Sequence, residues 1–255
     1  MSSKSLLAWL TASALTAGVA IAGFSFAAET PVESSSEAAT AETATASPLV
    51  VAELFTSQSC SSCPPAEALF SELAEEENLL TMEWHVDYWD TLIHGGSKWK
   101  DLYSSRAFTA RQRAYNAELR GTRAVYTPQA IVNGQLEDVG NRPRAVGQII
   151  AKAPDLSIPV AIENNTVRIG ASDASVDVLF VRLLKEHETD VKGGENKGRK
   201  LAGKNIVLEA KVLGQTGPKA MVYEIPSVGK GETCAVLLQS LGGKVGPVLG
   251  AAECG

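Results

Sequence analysis

The 255-residue chain lacks the marks of several large protein classes. After its first apolar run, Leu6 to Phe26, no segment is long and apolar enough to cross a bilayer, which takes about 20 residues. No basic stripe interleaved with aromatics occurs, and the formal net charge is -6. An acidic chain has no general field for nucleic acid, so no nucleic-acid partner is expected. There is no Gly-rich phosphate loop and no nucleophile-elbow motif. Cysteine is scarce too: Cys60, Cys63, Cys234 and Cys254 are all there is. In an oxidising compartment an even count suggests pairing. The spacing favours two local pairs.

What is present begins with an address. Lys4, the apolar run and the small residues around Ser25-Phe26-Ala27-Ala28 have the three-part layout of a secretory signal peptide, expected over residues 1–27. The alternative is an uncleaved anchor, the one way a membrane would become a partner. In both cases the remainder lies outside the cytoplasm, periplasmic or secreted. Residues 28–47 are mostly Ala, Thr, Ser and Glu without an aromatic. Such a segment buries too little apolar area to offset chain entropy and reads as a disordered linker.

From residue 48 the pattern becomes structured. Leu49 to Phe55 is an apolar, β-prone run broken only by Glu53, and reads as a buried strand. From Pro65, Ala66, Leu69, Phe70 and Leu73 recur at helical spacing, with Glu67, Glu72 and Glu75 assigned to the polar face. Leu79 to Val86 is a second strand, and Ser104 to Arg120 a second helix that Gly121 stops. Val125 to Val132 and Gln135 to Val139 flank an Asn133-Gly134 hairpin turn, and Arg144 to Ala153 closes the unit as a helix. Beyond Pro154 only short alternating runs follow, separated by turn signals such as Asn164-Asn165 and Gly193-Gly194. The expectation is an α/β domain over 48–154, followed by a small all-β, sandwich-like domain over 155–255.

Cys60-Ser61-Ser62-Cys63 carries the chemistry. It lies where a strand runs into a helix N-terminus, whose partial positive charge favours a thiolate at Cys60. A thiolate attacks a disulfide, and Cys63, one turn deeper and less exposed, is placed to resolve the mixed disulfide. Two other readings stay open. The bridge is a structural staple of a binding module, or Cys60, Cys63 and His85 hold copper or zinc. Asp87, Tyr88, Trp89 and Asp90 are candidates to line a groove near the thiols. Glu53 has two readings: a buried carboxylate that accepts the proton of Cys63, or the partner of an arginine at 106, 111, 113 or 120.

The strand–CxxC–helix unit, the Thr-Pro before a hairpin and the closing helix together resemble the thioredoxin fold. That resemblance implies that Pro128 is cis and packs beside the dithiol, and that Thr127 pairs with substrate backbone. More narrowly, ELFTSQSCSSCPPAEAL, HVDYWD, FTARQRAY, VYTPQAIVNG and GENKGRKL resemble a bacterial secreted family known only as a domain of unknown function, DUF1223. The resemblance covers nearly everything from Val50 onward, and the family's activity is unassigned. Taken together these readings predict an exported thiol–disulfide oxidoreductase acting on exported protein thiols or disulfides. It would use Cys60, Cys63, Thr127, Pro128 and Glu53, and no cofactor.

Overall fold

A computed structural model describes residues 49–94, 96–242 and 244–255. The expected signal segment and linker, 1–27 and 28–47, lie outside the described residues. The first half contains β1 (Val50–Thr56), α1 (Pro64–Leu73), β2 (Leu79–His85), α2 (Arg106–Leu119), β3 (Gln129–Val132), β4 (Leu136–Val139) and α3 (Pro143–Ala151). This is the order the hydrophobic periodicity predicts, with ends shifted by a few residues. β3 starts later than expected, after Pro128, which has no N–H to give a ladder. Asn133 and Gly134 both have positive φ, 47° and 66°, as a two-residue hairpin turn demands.

β1 runs up the middle of the sheet, parallel to β2 and antiparallel to β3, which pairs antiparallel with β4. Its alternation serves two cores. Ala52 and Leu54 pack with Ala66 and Phe70 of α1 and Val146 of α3. Val51 and Phe55 face Phe108 and Tyr115 of α2. Each fully buried Leu or Phe of this set contributes about 1.5–3 kcal/mol.

The second half adds β5 (Val160–Glu163), β6 (Thr166–Ile169), β7 (Asp177–Asp190), β8 (Lys200–Gln215), β9 (Met221–Glu224), β10 (Glu232–Gln239) and β11 (Val248–Glu253). It is all β, as expected, but the expected division at 154/155 is not a division of the sheet. The strand order is β11-β10-β7-β8-β2-β1-β3-β4, one mixed eight-stranded sheet. All the described residues fall in one compact unit. The physical reason lies at β2. Every residue of β2 is buried, and without a neighbour on its outer side it would bury a row of unpaired backbone groups. β8 covers that edge, touching it at Glu83–Ile206, and Leu183 and Val207 share a core with Met82 and Trp84. A smaller sheet, β5-β6-β9, packs Val167 and Ile169 onto Val178, Phe180 and Val236. The expected separate sandwich-like domain is instead a small sheet packed onto strands of the large one.

Candidate active site

β1 ends in a buried loop, Ser57 to Cys60, that turns back into α1. The backbone N–H of Cys60 donates to the Ser57 carbonyl and that of Cys63 to the Cys60 carbonyl, closing two tight turns. Cys60 and Cys63 are joined as a disulfide, their Cα atoms 5.4 Å apart. Cys63 is the N-cap residue of α1, and Pro64 and Pro65 follow. Prolines suit the first turn, but they leave no N–H there to reach a sulfur. The helix dipole favours a thiolate at this end.

Thr127 and Pro128 complete one wall. Their peptide bond is cis, and the Thr127 carbonyl oxygen lies 3.9 Å from Cys60 Sγ. Trp89 Nε1 donates to Thr127 Oγ1 at 2.8 Å. Ser62 Oγ is 3.2 Å from Cys60 Sγ, and Asn141 Nδ2 donates to the Ser62 carbonyl at 3.1 Å. Of the four expected groove residues, only Trp89 bonds this wall. Asp87 accepts from Thr109 Oγ1, and Asp90 from Ser104 Oγ and the Asp101 N–H.

The opposite wall comes from the loop between β7 and β8, to which the periodicity assigns only a turn. Asn196, fully buried, donates from Nδ2 to the carbonyls of Gln58 at 3.0 Å and Cys60 at 2.8 Å. Glu195 Oε2 accepts from the Ser61 N–H at 2.8 Å, which holds this carboxyl below its usual range. Gly194, with φ +70°, lies so close that a Cβ there would be 2.9 Å from Ser59 Oγ. At this φ a larger residue would be strained as well as crowded. The string GENKGRKL was the available signal, but it reveals a role only once its loop is placed on the dithiol.

Burial departs from expectation. Cys60 is 1% exposed and Cys63 0%, so Cys60 is not the markedly more accessible sulfur. Ser61 and Ser62 form the exposed rim instead. Glu53 takes the second of its two expected roles. Arg111 donates to it from Nε and Nη2 at 2.7 and 2.9 Å, and Tyr115 Oη donates to it as well. This group sits on the α2 face of β1, away from α1, with Gln239 accepting from the same guanidinium.

The acid nearest in sequence to the resolving thiol is Glu67, one turn after Cys63 on α1, and buried, not on the polar face. Residues four apart on a helix share a face. Thr56 Oγ1 donates to Glu67 Oε1 at 2.6 Å. Burial, with Glu83 nearby, pushes the Glu67 carboxyl up to about 8. Further along the same face of the sheet, His85 Nδ1 meets Asp101 Oδ2 at 2.8 Å. Burial alone would lower His85, but the Asp101 charge overrides it and raises the imidazole to about 10.

The metal reading of the dithiol finds no geometric support. Among the described residues, the one set of three ligand groups within 4.8 Å of one another is Glu83, His85 and His187, with no cysteine in it. The other two cysteines form the expected second pair, Cys234–Cys254, with Cα atoms 5.1 Å apart.

Comparison with known proteins adds the following. A family model described as "Protein of unknown function (DUF1223)" matches residues 51–239. The crystal structure of a protein from Agrobacterium tumefaciens is 31% identical, with a TM-score of 0.66 over 80% of this chain and 93% of that one. HBP35 of Porphyromonas gingivalis is similar in fold at 13% identity, with a TM-score of 0.51 over 82% of this chain and 75% of that one. No curated protein matches.

Proposed function

The chain belongs to the DUF1223 family of proteins of unknown function, and we propose that within it this protein is an exported thiol–disulfide oxidoreductase on a thioredoxin-like unit spanning 48–154. The observation that carries this reading is the placement of Cys60 Sγ 3.9 Å from the Thr127 carbonyl, next to Pro128, at a strand–helix junction. The sheet order β2-β1-β3-β4, with only β1 and β2 parallel, supports the thioredoxin-like assignment. Two disulfides are consistent with a periplasmic or secreted protein. In this reading residues 1–27 are the signal, 28–47 the linker, and 155–255 a β extension that contributes the Glu195–Asn196 wall.

The exchange needs no cofactor. In the reducing direction the Cys60 thiolate attacks one sulfur of a substrate disulfide, and the other sulfur leaves as a thiolate. Cys63, losing its proton, then attacks Cys60 Sγ, which closes the Cys60–Cys63 bond and frees the second substrate thiol. Two electrons pass from the dithiol to the substrate, and the oxidising direction is the same path reversed. Glu67, buried one turn from Cys63 and with its carboxyl raised to about 8, is the candidate to take and return that proton.

The near-complete burial of both sulfurs favours a second reading, a structural staple. The reduction potential of the Cys60–Cys63 couple, measured against glutathione, decides between them. We expect a value roughly between -120 and -270 mV, where catalytic couples lie. A value below about -300 mV, typical of structural bridges, would overturn the oxidoreductase.

A further inference from the structure

The seam between β2 and β8 holds ionisable groups that the dithiol chemistry does not use. Glu83 and His85 stand on β2, and His187 reaches them from β7, across β8. The crossing is possible because Gly203 is the β8 residue opposite His187. A Cβ on Gly203 would fall 2.5 Å from Glu83 Oε2 and 3.0 Å from His187 Nε2. One ligand atom from each of Glu83, His85 and His187 lies within 4.8 Å of the others.

The inward atoms are the unusual part. Both Glu83 carboxylate oxygens, His85 Nε2 and His187 Nε2 are buried and have no hydrogen-bond partner among the described residues. Buried polar atoms are normally satisfied, so each such orphan asks for a partner. The outward atoms are engaged: His85 Nδ1 meets Asp101 Oδ2 at 2.8 Å and His187 Nδ1 meets Thr189 Oγ1 at 3.4 Å. Histidines that bind metal through one ring nitrogen are held in this way through the other.

We propose that Glu83, His85 and His187 form a binding site for a divalent transition-metal cation of the zinc type. Two imidazole nitrogens and one carboxylate are a donor set that zinc accepts. His85 Nε2 and Glu83 Oε2 are 3.9 Å apart. Donors around a tetrahedral ion sit roughly 3.3 Å apart, so closure by about half an ångström completes that edge. A surface pocket lined in part by His187, Gly203, Glu186 and Glu188 adjoins the site. The ion would clamp β2 to β7 where β2 and β8 share a single ladder pairing, Glu83–Ile206. Its rival is a proton on His85, which satisfies Asp101 but leaves Glu83 Oε1 and His187 Nε2 without partners.

The test is titration of chelator-stripped protein with Co²⁺ and with Zn²⁺. One equivalent should bind, with visible Co²⁺ bands of nitrogen–oxygen coordination and no near-ultraviolet thiolate absorption. Zn²⁺ should raise the melting temperature. A Cys60→Ser/Cys63→Ser double variant should bind equally well, which separates this site from the dithiol. His187→Ala and Gly203→Ala should bind at least a hundredfold more weakly. Gly203→Ala keeps every ligand and only fills the space, and circular dichroism checks that it folds. Absence of binding by the unaltered protein, binding that persists in both variants, or binding that disappears with the cysteines would each overturn the proposal.

Discussion

Asn196 Nδ2 donates to the carbonyl oxygen of Cys60 at 2.8 Å across 136 residues of chain. The same amide donates to the Gln58 carbonyl, so one buried side chain holds the dithiol loop from the far half of the protein. Asn196→Ala leaves two carbonyls without this donor. It should destabilise the protein by about 1–3 kcal/mol and speed reduction of the Cys60–Cys63 bond by dithiothreitol severalfold. Stopped-flow reduction alongside urea unfolding separates the two effects. Lost stability with an unchanged reduction rate would mean that the loop is no gate for the sulfurs.

The ion pair on the other face of β1 makes a stability prediction. Glu53 and Arg111 are buried together with Tyr115 and Gln239. Arg111→Ala strands a buried carboxylate and should cost about 3–5 kcal/mol. Replacing both partners, Glu53→Gln with Arg111→Met, should cost clearly less, because no charge is left unpaired. Urea titrations of the single and double variants read the difference. Equal losses would show that packing over Trp84 and Tyr115, not charge, is what Arg111 contributes.

Cys234 lies near the start of β10 and Cys254 follows β11, and the Cys254 N–H donates to the Cys234 carbonyl at 2.7 Å. The bridge closes a span of 20 residues. In the chain-entropy model this stabilises by about 3 kcal/mol. Cys234→Ala/Cys254→Ala should lower stability by that order without altering the potential of the other pair. Unreduced peptide maps should show Cys234 linked to Cys254. A map linking either one to Cys60 or Cys63 would contradict both bridges.

What the sequence discloses follows the range of the interaction. The elements up to α3 are legible because each rests on local periodicity and on turn residues such as Asn133-Gly134. The strands after Pro154 are equally legible as strands, but alternation encodes burial and names no partner, so the joining of β8 to β2 is invisible. Glu67 misleads helical reading because it stands at the border of the apolar face and is buried by the sheet, not by its own helix. Glu83 and His85 do leave a trace, as ionisable residues at alternate positions of a strand buried throughout. Their partner His187 is about a hundred residues away, with nothing local to mark it. Cys60 and Cys63 are found by spacing alone, whereas their accessibility depends on a loop from the other half.

Position, not exposure, distinguishes the two thiols. Cys63 caps α1 and is sealed beneath it, whereas Cys60 Sγ faces the Thr127 carbonyl, next to the exposed Ser61–Ser62 rim. An incoming disulfide that opens this rim meets Cys60 first. Cys63→Ser should therefore still attack but fail to release its product, and should accumulate reducible adducts with exported proteins. Cys60→Ser should form several-fold fewer. Non-reducing gels of the two variants, expressed in the native host with thiols trapped in acid, provide the measurement. Equal trapping would mean the roles are not divided this way. If neither variant forms adducts and the couple's potential is also very low, the bridge is a staple and the catalytic reading is lost.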